Sequence, residues 1–65
     1  MAERTDYYFE VYNDVDGAYR WRFYAPNGRV MADSGQGYAE KSSCTEAINT
    51  ICREAKDGVS IDDAT

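Results

Sequence analysis

The stretch from Tyr19 to Tyr38, YRWRFYAPNGRVMADSGQGY, constrains the fold more than any other part of this chain. Tyr19, Trp21 and Phe23 alternate with Arg20, Arg22 and Tyr24, so an extended backbone sends the first set to one face and the second to the other. Ala25-Pro26-Asn27-Gly28 follows as a turn, and Pro26 stops strand pairing because it has no amide hydrogen. Arg29 to Asp33 then makes a shorter strand, with Val30 and Ala32 expected to face inward. Ser34-Gly35-Gln36-Gly37-Tyr38 changes the direction of the chain. Its two glycines do not make a phosphate cradle, because neither the Lys-Ser/Thr of a P-loop nor the third glycine of a dinucleotide fingerprint follows. They predict a tight corner that needs backbone freedom.

The flanking segments complete the pattern. Upstream, Tyr7, Phe9 and Val11 alternate with Tyr8, Glu10 and Tyr12, which predicts a half-buried strand over 7–12. Asn13 to Gly17 is dense in turn formers, and Asp16-Gly17 suits a hairpin loop. Three antiparallel strands in a meander follow from two short connections. Downstream, Cys44, Ala47, Ile48, Ile51, Cys52 and Ala55 fall at helical spacing and predict one apolar stripe on a helix from about Glu40 to Lys56. Ser43 and Glu46 match a capping box, but a start there would discard a turn that the pattern uses. Gly58 is placed to end the helix. Val59 and Ile61 then alternate with polar residues and predict a short fourth strand, paired with its own chain or with another copy. Residues 1–6 are a polar, frayed lead-in. The expectation is one α+β domain over residues 1–65, a β-β-β-α-β unit whose antiparallel sheet carries one helix on one face.

Size makes isolated stability marginal. A chain of 65 residues buries a small share of its surface and generally needs a disulfide, a structural metal or a second subunit. Cys44 and Cys52 lie eight residues apart on one helix, about 12 Å at the helical rise, so they cannot bridge to each other. Two thiols without any histidine fall short of the four ligands of a structural zinc. Both cysteines are read as small core side chains. No metal and no cofactor is expected, and a homodimer remains as the stabiliser.

Charge narrows the function classes. Twelve acidic against seven basic residues give a formal charge of −5, which disfavours general nucleic-acid binding. An acidic, lysine-poor composition also suits a salt-loving host, where repulsion between acids is screened. No apolar run reaches the length of a signal or membrane segment, so the expected location is the cytoplasm, away from membranes.

FEVY at 9–12, Trp21-Arg22, Ala25, Asn27-Gly28, Ala32, Ser34-Gly35, Gly37-Tyr38, Lys41, Cys44 and Ile48 together resemble the YegP-like family of small domains of unknown function. The resemblance implies two units sharing one sheet with their carboxy-terminal strands exchanged, here between subunits, which makes Val59 and Ile61 the expected dimer contacts. It brings no activity. Gln36 replaces a usual acid, and Ala39-Glu40 replaces the hydroxyl residues that typically start the helix, which implies a poorly capped start offset by Glu40 at the positive helix end.

Three function classes compete. In the first, Tyr8, Tyr12, Arg20, Arg22 and Tyr24, with Glu10, Met31 and Asp33, form the open sheet face of a non-enzymatic module for an unknown protein partner, since binding surfaces favour aromatic and arginine side chains. Set against this, cross-strand pairing of Glu10 with arginine and packing of the tyrosines equally serve to stabilise a solvated sheet. The second class uses the same face as a single-stranded nucleic-acid platform, with tyrosines stacking on bases, against the acidic charge. The third is an enzyme, for which the scattered acids and the unactivated Cys44 and Cys52 offer no catalytic residues.

Overall fold

The computed structural model of the chain describes residues 5–64. It contains β1 (Tyr8–Asn13), β2 (Tyr19–Tyr24), β3 (Val30–Asp33) and α1 (Lys41–Asp57) in that order. The strands form one antiparallel sheet, β1-β2-β3, in which Phe9 pairs with Phe23, Val11 with Trp21 and Tyr12 with Arg20. Because directly paired residues share a face, Phe9, Val11, Trp21 and Phe23 lie together under α1. Phe9 meets Trp21 edge-on at 5.3 Å between ring centroids and Phe23 at 4.8 Å. Tyr7 precedes β1, yet its ring extends the same layer by stacking on Phe23.

Three residues, Trp21, Ala25 and Cys44, form the buried core among the described residues, and of these Cys44 is fully buried. Cys44 is the knob by which α1 seats on the sheet, and Ala47 and Ile48 beside it are half-buried. The rest of the predicted stripe is not covered. Ile51 is 39% exposed, and Cys52 and Ala55 are exposed as well, so Cys52 is not a core residue. A helix of 17 residues is about 25 Å long, and its burial is confined to Cys44, Ala47 and Ile48, so the carboxy-terminal half of α1 is left exposed.

The expectation for β3 is corrected as well. Among the described residues α1 packs on β2 and β1 and touches nothing of β3, and all four residues of β3 are exposed, Val30 and Ala32 included. Ala32 stands opposite Phe23, but a bulge in the register then pairs Val30 with Tyr24, out of the Phe23 row. The fourth strand is also missing from the single chain: residues 58–64 carry no regular secondary structure, with Val59 66% and Ile61 94% exposed. Of the lead-in, residues 1–4 lie outside the described residues, and Thr5 and Asp6 are exposed.

Both connections have the predicted chemistry, and the corner has a sharper one. Gly17 takes φ +82° in the first turn and Gly28 takes φ +88° in the second. Gly37 is needed for close approach rather than for its dihedral angles, because a Cβ there would stand 2.6 Å from Ala18 Cβ. That approach lets Tyr38 and Tyr19 exchange two backbone hydrogen bonds of 2.8 Å, which locks the corner to the start of β2. The helix then starts after Glu40, whose backbone is extended and whose side chain makes no cap bond. It ends at Gly58, with φ +102°.

Gly37→Ala is expected to cost about 1–3 kcal/mol, the usual range for overpacking, read as a shift in the urea midpoint. Ala18→Gly in the same chain should recover part of that loss, because it removes the atom with which the new methyl collides.

Candidate interaction face

The face of the sheet turned away from α1 is built by strand alternation. Register places Tyr8 opposite Tyr24, Glu10 opposite Arg22 and Tyr12 opposite Arg20, with Asp33 of β3 next to Arg22. The structure thus brings all five predicted residues, Tyr8, Tyr12, Arg20, Arg22 and Tyr24, onto one surface, each half-exposed.

Contacts across the strands hold these side chains. The Tyr8 and Tyr24 rings stack at 5.0 Å, only 10° from parallel. The Arg22 guanidinium lies 4.4 Å from the Tyr12 ring centroid, where the ring quadrupole attracts a cation. The Tyr24 hydroxyl donates to Glu10 Oε1 at 3.0 Å. The face therefore holds its side chains in cross-strand pairs, with acids beside its arginines.

Arg20 differs from its neighbours, because its Nε donates to Asp14 Oδ2 at 2.6 Å. Asp14 Oδ1 meanwhile accepts from the amides of Asp16 (2.9 Å) and Ala18 (3.0 Å). One carboxylate thus closes the β1–β2 turn with one oxygen and anchors Arg20 with the other. Sequence marks Asp14 only as one turn former among several, and its spacing of six residues from Arg20 is not a recognised pairing signal. The two are neighbours because the hairpin folds the chain back at that point.

The remaining titratable groups offer little chemistry. Burial pushes the Cys44 thiol up, toward its unreactive protonated form. Among the described residues no three His, Cys, Asp or Glu side chains gather to hold a metal ion. No helix there is long and apolar enough to cross a membrane.

Known proteins share this framework. A family model described as a domain of unknown function, DUF1508, matches residues 14–62. A UPF0339 protein of Agrobacterium fabrum is 43% identical over 56 residues, 86% of this chain and 89% of that protein. A UPF0339 protein of Stutzerimonas stutzeri, from the region 5′ of a ptx operon, is 39% identical over 49 residues. Those residues are 75% of this chain but 43% of the relative. A solution NMR structure of a protein from Haloferax volcanii superposes with a TM-score of 0.75 at 40% identity, covering 89% of this chain and 97% of that one.

The Asp14 carboxyl is held below the usual carboxylate range, first by the Arg20 hydrogen bond and then by the two turn amides, against partial desolvation. A depressed folded-state pKa stabilises the fold above the unfolded value, near 3.9, and that contribution is lost as pH falls through the folded value. Asp14→Asn should therefore be less stable than the parent at pH 7. Urea midpoints of the two should converge on acidification below about pH 4.

Proposed function

The chain belongs to the DUF1508 family, a domain family of unknown function also met as the UPF0339 and YegP-like proteins, and from that premise we propose that it is a non-enzymatic, dimeric interaction module. Two copies complete each other by exchanging their carboxy-terminal segments, and the dimer presents the Tyr/Arg sheet face to a protein partner.

The observation that carries the dimer is surface. The chain exposes 5343 Å², whereas a folded monomer of its 7.3 kDa mass exposes roughly 4,200 Å² by the usual scaling. The excess exceeds the roughly 800 Å² that each partner contributes to a standard interface. Its radius of gyration of 13.3 Å also exceeds the ~11 Å of a compact chain of this length. Large apolar side chains are among those exposed: Val30, Met31, Ile51, Val59 and Ile61. The Stutzerimonas relative, in which 49 matched residues make up only 43% of the length, has room for a second unit in one chain.

The sheet face suits a protein partner better than a polyanion. Glu10, Asp14 and Asp33 stand beside its two arginines, and the whole chain is acidic. The stacked and hydrogen-bonded pairs fix the side chains before binding, so docking loses little rotamer entropy. No catalytic residue is assigned, since Cys44 is buried without a base and the acids are not gathered in a cavity.

Two experiments test this reading. Truncation after Gly58 should convert the dimer to an unstable or aggregating monomer, seen by sedimentation, and a truncated chain that stays dimeric and stable contradicts the exchange. Arg22→Ala with Tyr24→Ala should leave the dimer folded, since cross-strand pairs contribute about 0.2–1 kcal/mol each. The proteins retained by the parent on an affinity column should then be lost, and retention of the same set contradicts the role of the face.

A further inference from the structure

We infer that the protein segment docking on the open sheet face carries a single glutamate or aspartate beside an apolar side chain, with its carboxylate on Arg22 and its apolar group on the Tyr8–Tyr24 stack. This rests on the interaction face proposed above and names the chemistry that the face selects.

Arg22 holds the charge that the face leaves unpaired. Arg20 is already bound to Asp14, whereas among the described residues Arg22 makes no ion pair. Register puts two acids beside it, Glu10 on β1 and Asp33 on β3, and each is engaged elsewhere. Glu10 Oε1 accepts from the Tyr24 hydroxyl, and Asp33 Oδ1 accepts from the Gly35 amide. The groups that hold Arg22 are neutral: the Tyr12 ring beneath its guanidinium and the Tyr24 side chain. A guanidinium laid on an aromatic ring keeps N–H donors in its own plane for a planar acceptor with two oxygens, which a carboxylate supplies.

The apolar requirement comes from the adjoining row. The bulge in β3 sets Val30 opposite Tyr24, which is itself opposite Tyr8. Ala32 stands opposite Phe23 on the helix side, so alternation turns Met31 to the open face. Val30 is 50% and Met31 53% exposed. An apolar strip of Tyr8, Tyr24, Val30 and Met31 thus runs alongside the row Glu10–Arg22–Asp33, at about 7 Å from it along the strands.

Charge limits what this site admits. Glu10 and Asp33 flank Arg22, and the chain carries −5 overall, so a run of negative charge is repelled where one carboxylate is accommodated. A polyanion and an acidic tract are therefore poorer ligands than one acid set among apolar residues.

The test selects a phage-displayed random peptide library on the full-length chain and titrates the synthesised winners by NMR. Enriched sequences should share one Asp or Glu beside an aromatic or aliphatic residue and should shift the Arg22 and Tyr24 signals. Replacing that acid by its amide should weaken binding about tenfold or more, and so should Arg22→Lys, which keeps the charge and loses the planar fork. Peptides that shift these signals without an acid, or that bind Arg22→Lys unchanged, overturn the carboxylate assignment and leave the interaction face standing. An empty selection, or winners that all bind elsewhere, overturn the face as well. Displacement of the winners by an equal concentration of a short oligothymidylate overturns the choice of a protein partner.

Discussion

In the single chain α1 packs over β1 and β2 and leaves β3 uncovered, and the rest of the account depends on that arrangement. Cys44 seats α1 over β2 and β1, so the aromatic layer of Phe9, Trp21 and Phe23 is closed where the helix lies. Beyond that footprint β3 and the last turns of α1 present exposed apolar side chains. Ordering a backbone residue costs on the order of 1–2 kcal/mol, and three buried apolar residues offer little to offset it. The second copy proposed above would bring the same uncovered surfaces and an apolar tail in one step.

The hairpin at Asp14 decides how well the helix can be placed at all. Its carboxylate closes the turn through two amides and reaches Arg20. Immediately beside it Gly37 packs against Ala18, and Tyr38 bonds to Tyr19. The first turn and the corner before α1 are thus one contiguous unit, and the direction in which the helix leaves the sheet depends on that contact. The same unit draws Arg20 toward the edge of the open face, which leaves Arg22, Tyr12, Tyr8 and Tyr24 as its centre.

Much of this was legible in the sequence. Alternation over Tyr19–Tyr24 is strong enough to give β2 residue by residue, and Gly58 marks the helix end because its positive φ suits glycine. The open face was legible for the same reason, since period two assigns Tyr8, Tyr12, Arg20, Arg22 and Tyr24 to one side whatever lies on the other. What periodicity cannot supply is coverage. It says that Ala32 and Cys52 share a face with core residues, and not whether another element reaches over them, and it does not foresee the bulge that takes Val30 out of the Phe23 row. Asp14 and Gly37 were legible as turn and corner residues, but their particular partners, Arg20 and Ala18, were not, because those contacts cross a turn between residues with no spacing rule to reveal them.

The central claim is that this fold is completed by a second chain, and the concentration dependence of its thermal unfolding addresses it most directly. Dissociation coupled to unfolding makes the midpoint rise as protein concentration increases. The account predicts such a rise, together with a solution mass twice the 7.3 kDa of one chain. A cooperative midpoint that is independent of concentration, from a species of 7.3 kDa, would contradict it.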